Sequence, residues 1–272
     1  MALWDNQAKK WMAIGAPLRP SSIDIKNKMA WMTEYLQPDR AGLSVVILGV
    51  TPELIHIPWP RTTRLFAIEN NHSMIDLVMP KFSAYVKPQA IAGDWLHLPL
   101  QSASIDIVLG DGSYTLLQHQ QYAQITSEIR RVLKPDGCFI MRFFSRAVIS
   151  QTIEEIKNKI LQETNFHAFK FKLAMALHKN LQQGVCVKQV WECWQQHFFP
   201  HKASYKQKLN WTDAAINTID NYKDMNVIYT FPTLDEIRAN FHPWFIEEAM
   251  IIPAYDFGER CPTFKFRKKE GA

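Results

Sequence analysis

The sequence is poor in cysteine, in glycine and in long apolar runs. Its four cysteines are scattered along 272 residues, which argues against a disulfide framework and is typical of a reducing cytoplasm. No segment approaches the roughly 18 apolar residues of a membrane helix, and the first ten residues contain no apolar signal region. The net charge of +5 is small and requires no anionic partner. We therefore expect a cytoplasmic protein without membrane contact.

Glycine is scarce at the one turn where a nucleotide-binding protein would be rich in it. An apolar run, Ser44–Leu48, ends in Gly49, and Thr51 and Glu53 suit the cap and the first turn of a helix. The next apolar run ends in Glu69, twenty residues after Gly49. Strand, glycine turn, helix, strand and terminal acid predict a nucleoside-binding half of a doubly wound sheet, in which Glu69 accepts hydrogen bonds from a ribose.

The missing glycines indicate which class of nucleoside-containing ligand to expect. A dinucleotide needs three glycines to bring its pyrophosphate against the helix start, but Thr51 and Glu53 occupy the other two positions. A carboxylate at the mouth of the helix would repel a pyrophosphate. The pattern favours a ligand that carries adenosine and a positive charge without phosphate, and S-adenosylmethionine is the common cofactor of that description.

The following segments continue the alternation of strands and helices. A third strand closes with Asp94 and Trp95, which can hydrogen-bond and flank an adenine. A fourth strand breaks at Asp111-Gly112. Residues 128–137 read as a helix stopped by proline and glycine, and residues 138–144 as a fifth strand.

In this order of elements the chain resembles the class I S-adenosylmethionine-dependent methyltransferases. Sequences of that family have an acid after the second strand, Gly-Asp after the third, and Leu-Lys-Pro-Gly-Gly before the fifth. The resemblance covers roughly residues 43–145, and it implies an α/β fold with a seven-stranded, mostly parallel, doubly wound sheet of the Rossmann-like type and a helical insertion. One departure is that Ile47 stands where the family usually has an acid, two residues before its first glycine.

The resemblance and the helical spacing after residue 146 together predict the domain organisation. We expect one methyltransferase domain spanning residues 1–272, made of N-terminal helices (1–42), a cofactor-binding core (43–145), a helical substrate lid (146–231), and a final helix with two closing strands (232–272). The helices are predicted at 4–13, 23–37, 150–163, 169–181, 185–199 and 211–222, and the closing strands at 244–252 and 261–267.

The predicted site residues lie at strand ends and helix starts. The cofactor contacts that the pattern and the resemblance predict are Gly49, Val50, Thr51, Glu53, Glu69, Asn70, Met74, Asp94, Trp95, Asp111, Gly112 and Arg19. Thr51 and Glu53 are expected to hold the methionine amino group in place of the acid missing at Ile47, and Arg19 to reach the cofactor's carboxylate or an anionic acceptor. Tyr114 is the predicted catalytic side chain beside the transferred methyl, and His178 and Tyr205 are candidate general bases.

Metal and nucleic acid are the remaining ligands to consider. Cys186, Cys193, His197 and His201 recur at near-helical spacing, but the aromatic and branched residues between them follow a core pattern, so we predict no metal site. The basic and aromatic segments 201–211 and 265–269 leave nucleic acid open as a partner. The tetrapeptide Asn-Pro-Pro-Tyr, common in methyltransferases that act on base nitrogens, is absent at 111–114, which weakens that option.

The sequence therefore predicts an enzyme, an S-adenosylmethionine-dependent methyltransferase that acts on an unidentified small-molecule acceptor. Two alternatives remain open. One is a transferase of the same fold that moves an aminopropyl group, and the other is a non-catalytic S-adenosylmethionine-binding module, which the missing glycines favour. The oligomeric state does not follow from the sequence.

Overall fold

Apolar runs rich in β-branched residues form a central sheet. The computed structural model of the protein describes residues 11–79 and 86–270. Strand β1 is buried along its whole length, as expected for a strand covered on both faces. The strands of the sheet are β1 (Ser44–Leu48), β2 (Arg64–Glu69), β3 (Gln89–Ala92), β4 (Ile105–Asp111), β5 (Leu133–Arg142), β8 (Phe245–Ile251) and β9 (Thr263–Lys268), and a separate pair is formed by β6 (Val185–Cys186) and β7 (Ile228–Tyr229).

The sheet has the order β3-β2-β1-β4-β5-β9-β8, and this confirms the predicted seven-stranded, doubly wound α/β fold. Strands β1 to β5 pair in parallel, whereas β9 runs antiparallel to both of its neighbours. The chain order reverses between β1 and β4, so the carboxyl ends of these strands flank the crevice where open α/β sheets bind ligands.

Helices cover both faces of the sheet. The helix Tyr122–Val132, α4, shows why: it turns its branched apolar residues, Ile125, Ile129 and Val132, into the core. The helices are α1 (Ser22–Trp31), α2 (Pro52–Ile55), α3 (His72–Val78), α4 (Tyr122–Val132), α5 (Ile153–Asn158), α6 (Phe166–Leu177), α7 (Val187–His197), α8 (Lys202–Leu209), α9 (Asp213–Ile216) and α10 (Leu234–Phe241). None of the helices within the described ranges is both long enough and apolar enough to cross a bilayer.

Several boundaries differ from the sequence prediction. Helix α4 ends at Val132 and β5 begins at once with Leu133, because Pro135 cannot continue a helix and favours extended backbone before it. Most of the predicted helix 4–13 lies outside the described residues, and Trp11–Ala13 form a 3-10 turn. The helix predicted at 23–37 ends early, at Trp31.

The segment between β5 and α10 is a helical insertion with its own core. Its helices pack aromatic side chains against one another; Phe166, for example, contacts both Trp194 and Trp211 edge to face. The predicted helix 211–222 is in fact α9 followed by a 3-10 stretch, Asn217–Tyr222. The two-residue strands β6 and β7 were not predicted, because such short strands carry no alternation of polar and apolar residues.

Candidate functional site

A cavity of about 340 Å³ opens at the carboxyl ends of β1, β2 and β4, and we call it the nucleoside cavity. Its volume lies within the usual range of small-molecule sites. Nine of the twelve predicted cofactor contacts line it: Gly49, Val50, Thr51, Glu69, Asn70, Met74, Asp94, Trp95 and Asp111. Residues that the sequence did not single out complete its wall: Trp11, Leu48, Ser113, Leu116, Leu117 and Val227.

Gly49 makes the turn that opens this cavity. Its φ of +97° lies in the region that favours glycine, and its N–H donates to the carbonyl of Ile68 at 2.8 Å. A Cβ placed here would stand 3.7 Å from Glu69 Oε2 and 3.6 Å from the Trp95 ring. The glycine therefore keeps the space between the acid and the indole open to a ligand.

Glu69 presents a carboxylate at the end of β2. Its Oε1 accepts the Asn71 N–H at 3.0 Å, which orients the group. Burial raises the pKa of Glu69, although backbone N–H groups of Asn71 and Asn70 oppose the rise. A half-buried carboxylate held in this way can accept a pair of hydrogen bonds from a ribose diol.

Trp95 and Asp94 follow β3 on the same edge. The Trp95 indole N–H donates to the Ile68 carbonyl at 2.7 Å, so the ring is held across the cavity wall. Asp94 is exposed, and its Oδ1 accepts the Leu96 N–H at 2.9 Å. Both side chains line the nucleoside cavity, and their contact with an adenine stays a prediction.

Thr51, Glu53 and Arg19 surround the start of α2. Thr51 occupies the cap position, yet its side chain makes no cap hydrogen bond, so its hydroxyl is available to the cavity. Glu53 Oε1 accepts a hydrogen bond from Arg19 Nε at 2.8 Å, and its Oε2 is buried without a hydrogen bond to any described residue. The structure thus pairs Arg19 with Glu53 and places neither on the cavity lining. Their contacts with the cofactor stay predictions.

Asp111 belongs to a buried cluster of four charges. Both of its carboxylate oxygens accept hydrogen bonds from Arg142, at 2.8 and 2.7 Å. Lys28 Nζ lies 3.8 Å from Asp111, and Asp24 lies 3.7 Å from Arg142. Burial alone would lower the pKa of Arg142, but the charge of Asp111 and the hydrogen bonds between them outweigh it and hold it above its usual value. Asp111 is therefore neutralised where it borders the cavity.

Lys28 has the fewest hydrogen bonds of the four residues in this cluster. It is fully buried, and its ammonium makes no hydrogen bond to a described residue. Burial lowers the pKa of Lys28 to about 8, although Asp111 opposes the shift.

Gly112 follows Asp111 in the left-handed conformation, with φ +65°. A Cβ at this position would approach the Phe144 ring to 2.5 Å, so a side chain does not fit. Gly112 lines a second cavity rather than the nucleoside cavity.

The turn at Gly112 directs Tyr114 inward, and this corrects the prediction that its side chain lies beside the transferred methyl. Tyr114 is 1% exposed and lines neither cavity. Its hydroxyl is hydrogen-bonded to Thr126 Oγ1 at 2.8 Å, and its ring packs on Tyr122 and Phe143. An aromatic side chain in this pocket is part of the core.

The two candidate bases also lie away from the cavities. His178 Nε2 accepts the Phe231 N–H at 3.2 Å, and burial lowers the pKa of His178 to about 4. Tyr205 packs against Trp211 within the insertion. Neither residue lines the nucleoside cavity or its neighbour.

The second cavity, of about 120 Å³, lies between the end of β4 and the helical insertion, and we call it the insertion cavity. It shares Trp11, Asp111 and Leu116 with the nucleoside cavity. Its other lining residues are mainly apolar or aromatic, with Thr115, Lys170 and Asn221 as polar exceptions; they are Ile14, Leu18, Gly112, Thr115, Phe144, Lys170, Phe171, Asn221, Tyr222 and Tyr229. Over residues 11–79 and 86–270, no group of three His, Cys, Asp or Glu side chains is placed to hold a metal ion.

Comparison with known proteins agrees with this architecture. Residues 51–137, less than half of the chain, match the family described as a methyltransferase domain. No curated protein sequence gives a significant match.

Solved structures with similar folds have low sequence identity. A Rhodobacter sphaeroides protein, described as a zinc-dependent alcohol dehydrogenase, has a TM-score of 0.61 at 12% identity over 97% of this chain and 98% of its own. A Pyrococcus horikoshii protein has a TM-score of 0.53 at 11% identity over 96% and 99%. A chain from the complex of a Haloferax volcanii methyltransferase activator with a methyltransferase has a TM-score of 0.50 at 12% identity over 97% and 96%. At these identities the likeness shows the fold alone.

The sheet order is that of the Rossmann-like fold, and the matched stretch agrees with the resemblance to the S-adenosylmethionine-dependent methyltransferases seen in the sequence. S-adenosyl-L-methionine is the cofactor of this class. The cavity fits it, because the Gly49 turn leaves room between Glu69 and the Trp95 ring, and the buried Glu53 Oε2 leaves an acceptor unused nearby.

Proposed function

We propose that the protein transfers a methyl group from S-adenosylmethionine to a small-molecule acceptor held in the insertion cavity. The observation that supports this most directly is the contact between the two cavities, which share Trp11, Asp111 and Leu116. An acceptor in one cavity would lie beside a cofactor in the other.

In this proposal the residues of the nucleoside cavity bind and orient the cofactor. Glu69 accepts hydrogen bonds from the ribose, Trp95 and Asp94 contact the adenine, and Glu53 attracts the ammonium end. The cofactor supplies a methyl group that its sulfonium makes electrophilic. The work of the chain is therefore alignment and exclusion of water, for which the closely packed helical insertion, residues 146–231, is suited as a lid.

The charges on the surface support a small acceptor over a nucleic acid. Lys202 and Lys206, from the basic segment 201–211, both pair with Asp213. Lys265 and Arg267, from the basic tail, both pair with Glu248. These cations are already partnered within the fold, which weakens the case for a phosphate-binding surface.

Calorimetry with S-adenosylmethionine and S-adenosylhomocysteine tests the cofactor part of the proposal. Glu69→Gln should weaken binding by about 1.5–3 kcal/mol, or roughly 10- to 150-fold, because it removes a charge-assisted hydrogen-bond acceptor. Glu34→Gln is the matched control, since Glu34 is an exposed glutamate away from the cavity, and it should leave the dissociation constant unchanged.

Failure of the parent protein to bind either compound at millimolar concentration would reject the proposal. The acceptor part is tested by incubation with methyl-labelled cofactor and a panel of one-ring compounds. Label recovered on an acceptor supports methyl transfer, whereas binding without any label transfer would favour a non-catalytic module.

A further inference from the structure

Lys170 is a lysine enclosed in the apolar core of the insertion. It lies on α6, is 2% exposed, and lines the insertion cavity. Its Nζ donates to Thr218 Oγ1 at 3.2 Å and stands 4.8 Å from the centre of the Tyr222 ring. A protonated lysine has three donors, and one neutral hydroxyl satisfies only one of them.

No carboxylate compensates this amine within the described part of the chain. The ion pairs formed by described residues do not include Lys170, although its neighbour on the helix, Lys172, pairs with Glu163 at 2.8 Å. Asp111 lines the same cavity, but both of its oxygens are taken by Arg142. A buried ammonium with unused donors is costly, so this position favours a ligand that brings a hydrogen-bond acceptor to Lys170 Nζ.

The cavity around Lys170 has the size and lining of a site for one aromatic ring. Its volume of about 120 Å³ is close to that of the apolar protein cavities, of about 150 Å³, that bind benzene. Phe144, Phe171 and Tyr222 contribute aromatic surface to its wall.

Asn221 adds a second unsatisfied polar group to the same wall. Its Oδ1 is buried and has no hydrogen-bond partner among the described residues. A carbonyl oxygen can only accept, so the missing partner is a donor. A ligand that carries a hydroxyl suits both polar groups, whereas a carboxylate would leave Asn221 unsatisfied.

We infer that the insertion cavity binds a small aromatic compound with one phenol-type hydroxyl, whose oxygen accepts a hydrogen bond from Lys170 Nζ and whose hydrogen is donated to Asn221 Oδ1. The identification of this ligand as the methyl acceptor rests on the proposed function, whereas the binding of the ligand does not depend on it.

The pKa values of the groups around Lys170 agree with a neutral ligand. Burial lowers the pKa of Lys170 to about 7, lowers that of His167 to about 4 and raises that of Tyr222, so this wall of the cavity disfavours charge.

para-Nitrophenol in its neutral form is a suitable probe, and nitrobenzene is the matched compound without a hydroxyl. At a pH of about 6, below the pKa of Lys170, the ammonium is available as a donor, and calorimetry should show that the parent protein binds para-nitrophenol at least about tenfold more tightly than nitrobenzene. Equal binding of the two compounds would overturn the inference, and this readout comes from the parent protein alone.

Lys170→Met, which keeps the length of the side chain, should abolish the preference for para-nitrophenol while nitrobenzene still binds. Lys179→Met, at an exposed lysine just beyond α6, is the matched control and should behave like the parent. Retention of the preference in Lys170→Met would refute the role of Lys170. S-adenosylhomocysteine is titrated into each protein: if the probe binds through Lys170 but the nucleoside does not bind, the proposed function fails and this site stands.

Discussion

The buried charge cluster around Asp111 should make a single isosteric change unusually costly. Asp24, Lys28, Asp111 and Arg142 carry charges that cancel, and the Asp111 and Arg142 side chains are at most 3% exposed. Asp111→Asn leaves one uncompensated positive charge in the interior and replaces one charge-assisted bond to Arg142. Breaking a buried pair by removal of one partner costs about 3–5 kcal/mol, so we expect a loss of that size in the free energy of unfolding.

Urea unfolding at about pH 7, where Lys28 with its pKa of about 8 is mostly protonated, measures this loss. Glu247→Gln is the control, because Glu247 forms a two-point ion pair with Arg238 on the surface and should cost about 1 kcal/mol or less. The double variant Asp111→Leu with Arg142→Met restores neutrality and should recover much of the stability. A loss for Asp111→Asn no greater than that of the Glu247→Gln control would refute the reasoning.

Three further predictions concern Gly112, Lys170 and Glu53. Gly112→Ala should destabilise the fold by about 1–3 kcal/mol more than Gly42→Ala. Both glycines have a positive φ, but only at Gly112 would a Cβ collide with another side chain, that of Phe144. Equal losses of stability in thermal unfolding would contradict this. Lys170 has a pKa of about 7 in the fold and 10.5 when unfolded, so burial of its charge destabilises the fold fully below pH 7. As the pH rises from 7 to 10.5, the free energy of unfolding should increase by about 1.4 kcal/mol per pH unit. Lys170→Met should lose this dependence on pH, and an unchanged slope would disprove the shift. Glu53→Gln should weaken S-adenosylhomocysteine several-fold but leave methylthioadenosine, which lacks the amino-acid end, unaffected, and calorimetry with both ligands would expose an equal effect as a contradiction.

The strands and the acidic strand ends could be predicted because their signals are local. The run Ser44–Leu48 is apolar and β-branched, and a strand that is buried on both faces needs that composition. The carboxyl ends of parallel strands meet at one edge, so Glu69 and Asp94 could be expected near Gly49 from their order alone. The structure places all three on the nucleoside cavity.

Side-chain direction and distant pairing could not be predicted in this way. The left-handed turn at Gly112 sends Tyr114 into the core, and the sequence shows only that a tyrosine follows an Asp-Gly pair. Arg19 and Glu53 pair across 34 positions, which no local pattern encodes. Lys170 did leave a signal, because it interrupts the apolar composition of α6, but a lysine in an amphipathic pattern is ordinarily exposed.

The two cavities are built mainly from different parts of the chain. The nucleoside cavity is built mainly from strand ends before residue 120, whereas much of the insertion cavity comes from residues 144–229, and over the described residues the two share only Trp11, Asp111 and Leu116. In the proposed function, substitutions in α6 or in the 217–222 stretch would change which acceptor fits without altering the residues that line the nucleoside cavity. Acceptor selectivity could then diverge among descendants while the source of the methyl group stays the same.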